Sequence, residues 1–391
     1  MPTTIPDPLD AHAVARVTAA VRSALAVERG TEPEPLPNEG LGGMALFLRA
    51  AKTHRVSSLL ADNSDAIGLP KPVANELRHL AMREAEEAMK LTLETVRANA
   101  AFNEAGIPVI VMKGVPLSIQ TTGKLSSRGG GDIDLLVPID QVRQSHQTLE
   151  SCGWMSLRGG APRPGVTWRL VAWVNRELPF DGPNSAADLH WRVDYDHHLF
   201  PPSAELIARG VNVDLGNHPV RTFAPSDALA ACCFHVYVDF CSQLRGLVDV
   251  VRLTRLPGVA LPPDSSPKAK QLASEILRFT QEKIGGIPEE TLSRLGASPR
   301  VDASYAHELW DRNSMKVLHA DQGVLPLRQF NEIYRHQFRY GHSRISRAAM
   351  FATYYGMDLA SLDPAKGPLN IVGAVLQKGR NATQHRILKQ D

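Results

Sequence analysis

The chain predicts a mixed α+β fold, a small mixed sheet flanked by helices before it and by a helical domain after it. Three observations carry that expectation. Short apolar runs such as Val109-Ile110-Val111 and Leu135-Leu136-Val137 fall in the middle of the chain and have the length of buried strands. Apolar residues at mixed three- and four-residue spacing dominate the stretch before Val109, as in an amphipathic helix. After Pro225-Ser226-Asp227 the pattern is again mostly helical. The expected division is an extension and linker over 1–40, a core with its leading helices over 41–222, and a helical domain with a basic tail over 223–391.

In chain order, a short helix is expected near Ala11–Val27, followed by the extended, solvated linker Gly30-Thr31-Glu32-Pro33-Glu34-Pro35-Leu36-Pro37. Leu41–Val56 and Pro72–Glu104 are helical in pattern, the second with a stripe through Leu77, Leu80, Ala81, Ala85, Met89, Leu91, Leu93 and Val96. Strands are expected near 108–113, 132–137, 153–157, 167–174 and 187–193. A helix over Ile139–Ser151, capped by Asp140, joins the second strand to the third. Val211–Leu215 and Pro219–Thr222 form a hairpin around Gly216-Asn217. Leu261–Pro267 is a loop inside the helical half. Further on, Arg328, Arg335, Arg339, Arg344 and Arg347 alternate with Phe330, Tyr334, Phe338 and Tyr340. An amphipathic helix with solvated arginines explains that stretch better than a nucleic-acid surface.

Composition sets bounds. At 391 residues the chain can build two or three packed units, and 43% hydrophobic residues is ordinary for a globular protein. A formal net charge of +2 makes no case for nucleic acid. Cys152, Cys232, Cys233 and Cys241 are too few and too irregular for a disulfide framework and suit a reducing compartment. No apolar run reaches the length of a membrane span. The first residues, with Asp7, Asp10 and early prolines, lack the basic-then-apolar order of a signal peptide. The expectation is a cytoplasmic protein with no membrane partner.

The most informative stretch is Arg128-Gly129-Gly130-Gly131-Asp132-Ile133-Asp134-Leu135-Leu136-Val137. On a strand, Asp132 and Asp134 share one face while Ile133, Leu135 and Val137 share the other. Neighbouring carboxylates repel unless a cation lies between them, and oxygen pairs of this kind hold hard divalent ions. Upstream, Lys113-Gly114 ends a short apolar strand, with Pro116 at a helix start. A lysine there and the planar fork of Arg128 suit phosphate. Downstream, alternation in Asp188-Leu189-His190-Trp191-Arg192-Val193 places Asp188, His190 and Arg192 on one face. That adds a third carboxylate.

Together these segments, with Leu149 to Gly153-Trp154, resemble the uncharacterised nucleotidyltransferase family of the polymerase-β-like superfamily. Leu229 to His235 and Leu244-Arg245-Gly246-Leu247-Val248-Asp249 resemble that family's helical signature, so the likeness covers roughly residues 40–290. The resemblance implies a small mixed-sheet nucleotidyltransferase core. It implies transfer of a nucleoside monophosphate from an NTP, ATP first, to an acceptor, with release of pyrophosphate. Asp132, Asp134 and Asp188 are then the catalytic carboxylates and the ligands of Mg²⁺, with Mn²⁺ as a substitute. Lys113, Gly114 and Arg128 contact the nucleotide, and His190, His235 and Arg245 are candidates to touch substrate. A peptide or small-molecule acceptor is favoured over nucleic acid. The chain departs from the wider superfamily at its first turn, where Lys113-Gly114-Val115 offers no hydroxyl.

Other chemistries find less support. Cys232, Cys233, His235 and Cys241 sit on or beside one apolar helix and lack the paired spacing of a zinc site. Gly-x-Ser-x-Gly is absent, and no Gly-Lys-Ser/Thr follows the three glycines. His197-His198 reads as a solvated strand exit, and Asp249 as the partner of a nearby cation or the cap of a turn. Two other classes stay open: a binding protein keeping the fold without turnover, and a tailoring transferase moving a sugar or phosphate group onto a peptide or small molecule.

Overall fold

The computed structural model describes residues 8–36, 43–194, 199–314, 339 and 363–366. Four helices lead: α1 (Pro8–Glu28), α2 (Met44–Thr53), α3 (Ser57–Asp62) and α4 (Lys71–Glu104). The α/β part follows as β1 (Ile110–Val111), α5 (Val115–Thr122), β2 (Asp132–Leu136), α6 (Val142–Ser151), β3 (Met155–Ser156), α7 (Val166–Val174), β4 (Glu177–Asp181) and β5 (Ala186–His190). Next come α8 (Ser203–Ala208) and the hairpin of β6 (Val211–Asp214) and β7 (Pro219–Thr222). The described chain then continues through α9 (Pro225–Val238), α10 (Leu244–Thr254), α11 (Pro267–Ile284), α12 (Glu289–Arg294) and α13 (Ser304–Asn313).

The seven strands form one mixed sheet in the order β3-β4-β5-β2-β1-β7-β6. At its centre β2 runs parallel to β5 and antiparallel to β1. Its alternating side chains serve two cores. Ile133, Leu135 and Val137 pack with Leu189, Trp191, Leu178, Phe180 and Trp154 on one face. Leu136, with Ile110 and Met112, faces the other way and joins the core shared with α1, α2, α9, α10 and α11. Helices therefore cover both faces, and Asp134, two residues before Leu136, points toward the C-terminal helices.

Three local expectations are corrected. Residues 167–174 form the helix α7 instead of a strand, despite their Val and Trp content. Its buried positions Thr167, Val171 and Ala172 follow helical spacing, and Trp168 meets Trp191 edge-on at 5.2 Å between ring centroids. The carbonyl of Ala172, near the helix end, accepts from Trp191 Nε1 at 3.2 Å and Arg192 Nη2 at 2.7 Å. Tertiary donors thus satisfy part of a terminus that propensity alone would not favour. For the same reason Arg192 leaves the face of Asp188 and His190: β5 stops at His190, and Arg192 turns to α7. Burial lowers the Arg192 pKa to about 10. Asp140 caps no helix, because a short 3₁₀ turn over Ile139–Gln141 precedes α6 and no side chain caps it.

Strand β4 was not expected, since Pro179 interrupts the pattern. The ladder beside Pro179 is already ending, because β3 has only two residues; a proline is tolerated at such a place. His197-His198 and most of the basic stretch lie outside the described residues. Arg339 of that stretch stacks over Tyr305 at 4.0 Å and lies 3.4 Å from Glu275.

Candidate active site

Register brings the chemistry together. Asp134 on β2 is paired with Asp188 on β5, and Leu136 with His190. Antiparallel β4 adds Glu177 opposite His190. The ladder extends past β1 through Met112 N–H to Asp134 O at 2.9 Å, which brings Lys113 beside the carboxylates. Its Nζ lies 3.3 Å from Asp134 and 3.9 Å from Asp132. At Gly114 the backbone turns at φ 75° into α5, a region open to glycine at little cost.

Asp134 is 2% exposed, and its Oδ2 makes no hydrogen bond within the described structure. Burial alone would push its pKa up, but Lys113 and then His190 hold it well below the usual carboxylate range. Expected repulsion between carboxylates therefore does not dominate at Asp134, which is held by Lys113 and His190. Asp188 goes the other way: burial, then the charge of Glu177, raises its pKa to about 6. Asp132 is half-exposed at the mouth, with 40% of its side chain accessible.

His190 is buried between two acids. Its Nε2 lies 3.1 Å from Asp134 Oδ1, and its Nδ1 lies 3.2 Å from Glu177 Oε2. Arg176 Nε donates to Glu177 at 2.8 Å. Burial works against the Glu177 carboxylate, but His190 and Arg176 lower its pKa below the ordinary value. Glu177 was missed in the sequence because its strand was missed. With β4 paired to β5, its place opposite His190 follows.

Among the described residues one group offers three metal-ligating atoms within 4.8 Å of one another: Asp134, Asp188 and His190. Asp132 lies outside it. The carboxylates of Asp134 and Asp188 fit a hard divalent cation, which takes oxygen ligands; among the described residues Asp134 Oδ2 has no hydrogen bond and only the Lys113 ammonium at 3.3 Å for company.

Across the site, α10 grips the loop leading into β2. Arg245, Asp249 and Arg252 are spaced i, i+4, i+7 and line one face. Arg245 Nη1 donates to Gly129 O at 2.7 Å, Asp249 accepts from Arg128 Nε at 2.7 Å, and Arg252 Nη1 donates to Ser127 O at 3.2 Å. Three successive residues are held by one face of a single helix, over about two turns. The cation partner expected for Asp249 is Arg128.

A cleft between sheet and helices is lined by Lys113, Arg128, Cys232, His235, Asp239, Gln243, Arg245 and Asp249, among others. His235 and Arg245 are both among its lining residues. His235 is kept neutral, its pKa well below 6.5 through burial, then Lys113 and Arg176. Burial, then Asp249, pushes the Cys232 thiol up to about 12.

The model of the uncharacterised nucleotidyltransferase family matches residues 43–261, more than half of the chain. The chain belongs to that family. It is a nucleotidyltransferase, and the matched segment spans the sheet, the carboxylates and α10. Solved structures that match the chain include the antibiotic-resistance factor ANT(2'')-Ia in solution, at 12% identity and a TM-score of 0.28. That match covers 62% of this chain and 97% of the other. A second is an antigenic nucleotidyltransferase-like protein from Paracoccidioides brasiliensis, at 15% identity and a TM-score of 0.33, covering 54% and 93%. No curated protein matches the chain. No helix among the described residues is long and apolar enough to cross a membrane.

Proposed function

We propose that this nucleotidyltransferase moves a nucleoside monophosphate from an NTP, ATP first, to a peptide or small-molecule hydroxyl in the cytoplasm. The observation that carries the reading is the in-register pair Asp134 and Asp188, flanked by Lys113 and His190. The acceptor oxygen bonds to the α-phosphorus, the bond from that phosphorus to the oxygen bridging to the β-phosphorus breaks, and pyrophosphate leaves.

Asp132, Asp134 and Asp188 would hold Mg²⁺ or Mn²⁺, with His190 able to stand in for Asp132. A bound cation supplies charge neutralisation on the transferring phosphate and lowers the pKa of the attacking hydroxyl. Asp188, with a pKa of about 6, is mostly charged at neutral pH and weakly basic enough to accept the acceptor's proton. Lys113, whose Nζ lies 3.3 Å from Asp134, would neutralise charge on the phosphates. Arg128, buried against Asp249, positions the loop before Asp132 and acts on the nucleotide through that loop. His190 buttresses Asp134 through its Nε2, with the Glu177 carboxylate 3.2 Å from its other ring nitrogen. His235 and Arg245 lie where an acceptor or phosphate would enter.

The test is a screen of the four NTPs with Mg²⁺ or Mn²⁺ against peptide and small-molecule acceptors, scored by pyrophosphate release. Asp134→Asn should abolish release. Turnover unchanged in that variant, or equal in chelator, would overturn the reading.

A further inference from the structure

The loop Gly129-Gly130-Gly131 is flanked by the buried guanidinium of Arg245 and by the exposed Arg55, neither of which forms an ion pair with a carboxylate among the described residues. On one side Arg245 bonds only the carbonyl of Gly129, at 2.7 Å. Among the described residues its side chain has no carboxylate within ion-pair distance, because Asp249, four residues on, is taken by Arg128. On the other side Arg55 lies along the loop. A Cβ built on Gly131 would stand 3.8 Å from both Nη1 and Nη2 of Arg55, and one built on Gly129 would stand 3.8 Å from the Arg55 Cβ. The Arg55 side chain makes no hydrogen bond or ion pair among the described residues.

Arg55 is also held in an unfavourable backbone state. It follows the C-cap of α2 with φ 54°. Arg55 N–H donates to Lys52 O at 3.0 Å and Val56 N–H to Ala51 O at 3.0 Å. Those two bonds define the helix-ending turn whose left-handed position is normally glycine. A bulky side chain there is a strained choice, and strain of this kind collects at ligand sites.

The two arginines are positioned together. His54, fully buried beside Arg55, accepts from Leu244 N–H on its Nδ1 at 3.4 Å, and its carbonyl accepts from Arg245 N–H at 3.2 Å. The end of α2 is thereby stitched to the start of α10. Each arginine follows its half of the stitch, so backbone bonds fix where the two residues leave the ends of their helices. Their charges repel, and Arg245, lowered to about 9 by burial and then by Arg128 and Arg55, reflects it. Two forked cations beside a glycine loop, immediately before Asp132, suit an oxyanion with several oxygens.

We propose that Arg55 and Arg245 form a cradle across the Gly129–Gly131 loop for the terminal phosphates of the nucleotide, which then leave from it as pyrophosphate. This rests on the nucleotidyl-transfer reading. The cradle assigns Arg245 to the leaving phosphates instead of to the acceptor, and brings Arg55 into the site from the leading helices.

The experiment measures binding to the full-length chain by calorimetry, with inorganic pyrophosphate, ATP and AMP as probes and Mn²⁺ present. Free Mn²⁺ affinity is followed separately by electron paramagnetic resonance. Arg55→Met and Arg245→Met should each weaken pyrophosphate and ATP about tenfold, with AMP and free Mn²⁺ within about twofold of wild type. Arg245→Lys should fall between, since it keeps the charge and loses the fork. Arg55→Met carries the decision, because its side chain is exposed and makes no hydrogen bond or ion pair among the described residues. Unchanged pyrophosphate affinity in Arg55→Met overturns the cradle, as does equal weakening of AMP. A raised acceptor KM in place of weakened pyrophosphate binding also overturns it. Wild-type protein that binds neither Mn²⁺ nor ATP overturns the nucleotidyl-transfer reading itself, which separates the two failures.

Discussion

The ion pair between Arg128 and Asp249 offers the sharpest test of how the helical half supports the sheet. The two side chains are 8% and 4% exposed and meet at 2.7 Å. At that distance, with an effective dielectric constant of about 20, their attraction is about 6 kcal/mol before desolvation is subtracted. Desolvation cancels most of that gain, so the intact pair adds little net stability. Breaking it is another matter, because the surviving charge stays buried. Arg128→Met and Asp249→Ala should each lose about 3–5 kcal/mol. The double variant should lose clearly less than their sum, with a coupling of about 2 kcal/mol or more. Urea unfolding of the four proteins gives the cycle, and ATP binding gives the function. If Arg128 acts by holding the loop, both single variants should weaken ATP similarly. Losses under about 1 kcal/mol, or strict additivity, would refute the structural role. ATP weakened in Arg128→Met alone would make Arg128 a direct phosphate contact.

Two further outcomes follow from the same site. Because the folded Asp188 has a pKa of about 6, above its ordinary value of 3.8, its charged form is disfavoured by folding. Its contribution to stability is therefore fully favourable below the unfolded value and declines as pH rises through about 6. Metal binding needs the charged form, so Mn²⁺ affinity should fall about tenfold per pH unit below 6 and level off above. A flat Mn²⁺ titration between pH 5 and 7 would contradict this. Glu177→Gln should remove the carboxylate charge 3.2 Å from His190 Nδ1 and lower kcat about 10- to 100-fold, with the KM for ATP nearly unchanged; an equal loss in KM would show that Glu177 only supports the fold.

The sequence determined the pieces that depend on local pattern. Alternation at Asp132-Ile133-Asp134-Leu135 settles which faces those residues take, because strand geometry has a period of two wherever the strand lies. The same holds for the Gly216-Asn217 hairpin, where both residues adopt positive φ, and for the helix after Pro225. It could not determine α7, whose β-branched and aromatic residues favour a strand until Trp191 and Arg192 supply donors for its terminal carbonyl. Nor could it find β4, since a proline lowers strand propensity without revealing that the neighbouring strand is short. Missing β4 hid Glu177, and with it the bridge through His190 that holds Asp134. Pairings across long separations were equally out of reach. Arg128 with Asp249, Arg245 with Gly129, and His54 with the start of α10 join residues more than a hundred positions apart. No local period encodes such contacts. They arise because α10 and the end of α2 pack against the same loop, and that packing is a decision of the shared core.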